Sequence, residues 1–301
     1  MDVRLLSVID AEQGAALADL QKTAQKADGH PALSEPQRAA LTHLDLGGDG
    51  TQVVLGSKAG APVGFVVVVP QADGSHVLQE VVDPARRNEG AIRDALLHAA
   101  LENLTGTVRL WVMQVDESSD DEVAAAGFVP ERDLLQMRVP LPLPESVASA
   151  LAPLKTRAFM PVADDEEWLA LNNRAFAGHP EQGGWNLATL HERMQLDWFD
   201  PAGFRVATDD AGRIVGSCWT KIHRDATPML GEIYVISVDP EFHGHHVGKR
   251  LAIAGLTWLA EQGIAHGMLY TDADNDAAVH LYRWLGFTED HIDRRYVTHL
   301  G

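Results

Sequence analysis

One unit is written twice in this chain, and that duplication limits the possible folds more than any single motif. Aligning Asp83-Pro84 with Asp239-Pro240 brings the halves into register about 156 positions apart. Upstream, APVGFVVVV (61–69) lies opposite GRIVGSCWT (212–220), each at a turn-forming Ala-Gly or Asp-Ala-Gly element. VLQEVVDP (77–84) then matches EIYVISVDP (232–240), both rich in the β-branched residues that suit strands. A basic turn follows in each copy, then an apolar pattern at helical spacing: AIRDALLHAALENL (91–104) and GKRLAIAGLTWLAEQG (248–263). Each helix leads to a strand, VRLWVM (108–113) or GMLYTD (267–272). A short helix comes next, and a strand-like run follows Gly127-Phe128 or Gly286-Phe287. A period this long is not a solenoid repeat and predicts a duplicated α/β domain. The 301 residues suffice for two cores. The proline-rich PLPLPESVASALAPL (140–154) reads as the linker. The expected domains are therefore 1–144 and 145–301.

Composition removes several classes of function. No apolar run approaches the roughly 18 residues that span a membrane, and MDVRLLSVIDAEQ lacks a basic region followed by a long apolar block, so neither a membrane segment nor a secretion signal is expected. The single cysteine, Cys218, allows no intramolecular disulfide and fits a reducing cytoplasm. It lies in the strand-like VGSCWTK, where a buried packing role is expected. A net charge of −19 opposes the basic footprint that nucleic-acid binding needs. An acidic protein that binds a polyphosphate must gather its cations where the phosphates sit. Two places do so: Arg86-Arg87, and the run His243, His245, His246, Lys249, Arg250.

The chemistry lies in the second copy. A strand entering a helix through GHHVG bares backbone N–H groups, and with the helix dipole these form a phosphate site. The HGHH run lacks a cysteine or carboxylate partner at metal-site spacing, so no metal is expected. Asn275-x-x-Ala278-x-x-x-Tyr282-x-x-x-Gly286 puts Ala278, Tyr282 and Gly286 on one helix face. A tyrosine there can protonate a departing thiolate, while Glu232, opening the preceding strand, can take a proton from an attacking amine. Backbone N–H groups at Ile236, Ser237 and Val238 would polarise a thioester carbonyl. These parts together describe an acyl-CoA-dependent transferase.

The same residues resemble the GNAT acyltransferase superfamily. Its Arg/Gln-x-x-Gly-x-Gly/Ala loop falls on His243, His246 and Gly248, of which the last matches, while the Asn275 to Phe287 pattern fits position by position. NNRAFAGHPEQGGW (172–185), WTKIH (219–223), LGEIYVISVDP (230–240) and LYTDADNDAAVHLYRWLGF (269–287) are similar to mycothiol synthases, tandem GNAT proteins in which the second domain carries the chemistry. The resemblance implies an α/β (α+β) fold of two domains, each a mixed, mostly antiparallel sheet flanked by helices. It implies acetyl transfer from acetyl-CoA to the cysteinyl amine of cysteinyl-glucosaminyl-inositol, which yields mycothiol and CoA. Glu35, Glu181, Lys221, Glu232 and Tyr270 would contact that acceptor. Acetyl-CoA would meet Ile236, Ser237 and Val238, then His243, Gly244, His245, His246, Val247, Gly248 and Lys249, and the segment 275–280 with Asn275 and Ala278. A second acetyl-CoA would sit in the first copy at Val81, Val82 and Asp83 and the loop 87–92 with Arg87, Gly90 and Ile92. Catalysis is not expected there, because Val123 and His76 stand where Tyr282 and Glu232 would. A monomer with small-molecule partners is expected. Two alternatives stay open: a GNAT enzyme for another amine, such as an aminoglycoside or a protein N-terminus, and a non-catalytic acetyl-CoA sensor.

Overall fold

Runs that are apolar without alternation, such as FVVVV, suit strands covered on both faces, and the first half of the chain uses them that way. The computed structural model describes residues 1–28, 31–34, 37, 38, 41, 50–179 and 182–301. They form two compact units, Met1–Leu134 with His291–Gly301, and Leu135–Asp290.

In unit 1, β1 (Asp2–Leu6), β2 (Gln52–Lys58), β3 (Ala61–Pro70) and β4 (His76–Val82) pair antiparallel in sequence order. β5 (Gly106–Val112) joins β4 in parallel. Helices α1 (Ala11–Asp28), α2 (Ala91–Leu101) and α3 (Glu117–Ala125) flank the sheet. Along β3 the side chains divide: Phe65 and Val67 pack with Leu17, Leu20 and Ala24 of α1, while Val66 and Val68 pack with Ile92, Leu96 and Leu97 of α2. Burying each such side chain contributes roughly 1.5–3 kcal/mol, so both faces of the strand must stay apolar.

Unit 2 repeats the plan. β7 (Thr156–Ala158), β8 (Phe204–Thr208), β9 (Ile214–His223) and β10 (Leu230–Val238) are antiparallel neighbours, and β11 (His266–Asp272) lies parallel to β10. α4 (Asp165–Ala175) and α5 (Leu187–Met194) cover one face around Trp168 and Trp219. Trp219 stacks on Phe204 at 4.4 Å and Trp168 meets Phe204 edge-on at 5.2 Å. α6 (Val247–Glu261) covers the other face and lies unusually close to it. A Cβ on Gly216 would stand 2.7 Å from Leu251, one on Gly231 2.7 Å from Leu259, and one on Gly255 would collide with the Cys218 sulfur. Cys218 is fully buried, as expected.

After β11 comes α7 (Asp276–Trp284). Its end explains the Gly-Phe signature. Gly286 is left-handed (φ 95°), its N–H bonds to the Arg283 carbonyl, and the Phe287 N–H bonds to the Tyr282 carbonyl. Gly127 and Phe128 close α3 in the same way on Ala124 and Val123. This is the six-to-one closure that glycine permits at a helix end.

The compact units are not the contiguous halves 1–144 and 145–301 that the repeat suggests. β6 (Val129–Pro140) belongs to unit 1 up to Leu134 and to unit 2 beyond. β12 (Thr288–Leu300) pairs antiparallel with β5, from Arg294↔Val112 to Leu300↔Gly106, and so supplies unit 1 from beyond unit 2 in the chain. Tyr296 enters the unit 1 core, and Arg294 ion-pairs with Asp120 and Asp133.

Candidate active site

The β9–β10 hairpin sets the polar face of unit 2. Lys221 lies directly opposite Glu232, and His223 is two residues further along, so all three side chains share one face. Glu232 is 8% exposed. Its Oε2 lies 2.7 Å from Nε2 of His223. An ionised carboxylate can only accept, so Nε2 carries the proton in that bond. The Lys221 ammonium sits 4.7 Å above the Trp198 ring and 5.5 Å from the Tyr234 ring. Aromatic faces hold a cation there with little loss of its charge. Tyr234 occurs at a bulge, where the register shifts between Ile233 and Val235. Such an extra residue re-aims side chains next to a site. On β11, the Tyr270 hydroxyl accepts from Nε2 of buried Gln136 at 2.8 Å.

The parallel ladder between β10 and β11 covers only Gly231↔Gly267 and Glu232↔Met268. Past Glu232, the β11-facing backbone edge at Ile236, Ser237 and Val238 has no ladder pairing with β11 among the described residues. Ser237 offers backbone alone: its Oγ is 2.8 Å from that of Ser217, which in turn accepts from Trp168 Nε1 at 2.8 Å. Asp239 then caps a 3-10 turn over Pro240–Phe242 and takes Arg174 at 2.7 Å.

The loop that follows delivers bare N–H groups. Gly244 (φ 81°) and His246 (φ 57°) are both left-handed, and α6 starts at Val247 without a side-chain cap. The first bond back into the loop is Arg250 N–H to the His246 carbonyl, which leaves the N–H groups of Val247, Gly248 and Lys249 without intrahelical acceptors. Such a helix start fits a diphosphate. Histidine at 246 occupies a conformation that costs most side chains about 1–2 kcal/mol. Gly248 packs closely: a Cβ there would stand 3.3 Å from the Leu281 side chain, which would have to yield by a few tenths of an ångström. Among the described residues no carboxylate pairs with the cations nearby: Lys249 lies 4.4 Å over the Trp284 ring and Arg250 holds the His245 carbonyl at 3.0 Å. The side chains of His243 and His245 are exposed at the same turn.

Asn275 accepts from the Ala278 N–H at 3.1 Å, so the Asn-x-x-Ala spacing caps α7. That cap and the Gly286-Phe287 closure fix Tyr282 between them, its ring 5.7 Å from that of Phe287. No described protein group hydrogen-bonds the Tyr282 hydroxyl. Burial pushes this phenol above its ordinary value of 10.0, so it holds its proton at neutral pH and can donate it.

Comparison with known proteins agrees with this geometry. The model of the acetyltransferase (GNAT) family matches residues 166–287. A mycothiol acetyltransferase from Arthrobacter sp. (strain FB24) is 41% identical over 294 residues, 92% of this chain and 90% of that one. One from Nocardia farcinica is 38% identical over 301 residues, 98% and 97% of the two chains. The chain belongs to the mycothiol acetyltransferase family. It is an acetyltransferase, as expected. Two solved structures share its fold: a tandem GNAT protein from the clavulanic acid biosynthesis pathway (TM-score 0.72, 18% identity, 100% and 99% coverage) and a GCN5-related N-acetyltransferase from Sphaerobacter thermophilus (TM-score 0.69, 20% identity, 99% and 95% coverage). The expected α/β architecture with tandem GNAT units is thereby borne out.

Against this mycothiol acetyltransferase background, the remaining expected residues fall into place unevenly. Glu35 and Glu181 lie outside the described residues. Of NNRAFAGHPEQGGW, the first four residues end α4, and two of them hold described residues further on: Asn172 Nδ2 holds the Gln182 carbonyl at 2.8 Å, and Asn173 bonds both the N–H and the carbonyl of Trp185. In unit 1 the loop cations are spent. Arg87 pairs with Asp28 at 2.6 and 2.7 Å, Arg86 with Asp83 and Glu89, and Arg93 with Glu80 and Glu122. Ile92, Val81 and Val82 are core residues, Asp83 caps a 3-10 turn, and Gly90 precedes α2 with no side-chain cap. Sequence reasoning passed over His223, Trp198, Tyr234 and Gln136. The signal for His223 was present in WTKIH, where a lysine and a histidine two apart must share a strand face. Among the described residues there is no cluster of three metal-ligating side chains and no helix long and apolar enough to cross a membrane.

Proposed function

We propose that this chain transfers acetyl from acetyl-CoA to the cysteinyl amine of cysteinyl-glucosaminyl-inositol, forming mycothiol and CoA in unit 2. The observation that carries the reading is near full-length likeness to mycothiol acetyltransferases. The site supports it: Glu232 and the Lys221 cage present both charge signs on one face, which suits a hydroxyl-rich acceptor with an amine. Glu232 receives a proton from the amine nitrogen, the N–H groups near Ile236 to Val238 polarise the thioester carbonyl, and Tyr282 protonates the departing sulfur. The diphosphate rests on the N–H groups of Val247, Gly248 and Lys249, with the segment 275–280 alongside. For the acceptor, Glu35, Glu181, Lys221, Glu232 and Tyr270 remain the proposed contacts. In sequence we retain 1–144 as a non-catalytic N-terminal GNAT domain and 145–301 as the catalytic C-terminal GNAT domain. In unit 1 an acetyl-CoA would be held by backbone groups and would not react, since Val123 has no proton to give. The reading takes the protein as cytoplasmic. Its test is chromatographic measurement of CoA formed from acetyl-CoA, because the acceptor carries its own thiol. Turnover with the cysteinyl pseudo-disaccharide and none with simple amines is expected, and the reverse would overturn the assignment.

A further inference from the structure

We propose that His223 is the positioning residue of the base, fixing the carboxylate of Glu232 in the orientation that receives the amine proton. The inference rests on the reading of Glu232 above. Acetylating an ammonium takes two protons from nitrogen. One leaves to solvent before attack. The second passes to Glu232 as the N–C bond forms, while the C–S bond breaks and the sulfur takes the Tyr282 proton. Glu232 and Tyr282 then exchange one proton each with solvent, so that one proton is released overall. The carboxylate must therefore point at the nitrogen in every cycle, and although the Glu232 backbone is held between β9 and β11, a glutamate side chain has several rotamers.

The hairpin supplies the restraint. His223 is in register with Leu230, so it reaches Glu232 as a diagonal cross-strand neighbour, while Lys221 occupies the directly facing position. The 2.7 Å bond joins two side chains that are only 16% and 11% exposed, so water competes little for it. With the proton on Nε2, the imidazole donates to one carboxylate oxygen and no proton passes through the ring. His223 ends β9, and its backbone is held by the sheet, so the donor is fixed before substrate arrives.

The test compares His223→Ala, His223→Gln and His223→Asn in the full chain, with kcat and KM measured for both substrates. The glutamine amide nitrogen stands close to where Nε2 does, whereas asparagine falls short by one methylene. Alanine and asparagine are expected to lower kcat by on the order of 10²-fold, with KM for acetyl-CoA unchanged. Glutamine is expected to restore kcat to near the wild-type value. Wild-type kcat in the alanine and asparagine variants, with Glu232→Gln inactive, would overturn the role of His223 alone. Glutamine no better than asparagine would also overturn it. Full activity in Glu232→Gln would remove the base reading and this inference together.

Discussion

Tyr282 and Cys218 are both weak acids enclosed by apolar surroundings, and burial acts on them in the same direction. The thiol is pushed up from 9.0 to about 12, and the phenol rises above its ordinary 10.0. For a group whose folded pKa is raised, the stability gained by keeping it neutral is complete below its unfolded pKa and is lost as pH climbs through the folded one. Native stability should therefore decline above about pH 9, over the interval up to about 12 in which Cys218 ionises. Urea midpoints at pH 8, 9.5 and 10.5 check this, with Cys218→Ala expected to flatten the decline while carrying a cavity cost that pH does not change. Tyr282→Phe should lower kcat by roughly 10²–10⁴-fold and leave folding intact, since no described protein group hydrogen-bonds the hydroxyl. A rate and an unfolding midpoint on the same variant measure both. The placement of Glu232 on a strand and of Tyr282 on a helix was legible, because β-branched runs and apolar spacing mark those elements. The contact between His223 and Glu232 was not, because it depends on which rungs of the hairpin face one another.

Several residues of the expected ligand motifs also act as structural joints. Asn275 caps α7, Gly286-Phe287 closes it, and Asn172 and Asn173 brace the loop before α5. On the proposed reading, they hold Tyr282 and the segment before α5 in place. Another tight joint is α6 on β9, where Gly255 faces Cys218 without room for a methyl group. Gly255→Ala should cost about 1–3 kcal/mol through overpacking, despite alanine's better helix propensity. A fall in the urea midpoint with unchanged m-value checks it. The strands and helices themselves were readable from β-branched runs and apolar spacing. The bulge at Tyr234 was not. It inserts one residue into the apolar stretch 233–236, which has no alternation for the insertion to break.

At the scale of the whole chain, sequence similarity and compactness divide the protein differently. VPERDLLQMRV and TEDHIDRRYV both read as strands, and nothing in their pattern names the strand each will pair with. Only the hydrogen bonds do, and β12 pairs with β5. A chain stopped at Asp290 should lose the Arg294 ion pairs and the Tyr296 anchor from unit 1. Hydrogen exchange is expected to show amide protection falling across β1 to β5 and remaining across β8 to β11, and equal loss in both would refute this. The same connection also sets an order in time. On the ribosome, unit 1 waits for β12 until all of residues 135–290 have been made, on the order of ten to thirty seconds at roughly 5–20 residues per second. During that wait the edge of β5 is a nascent strand without its mate, and the second-made unit has every strand it needs first.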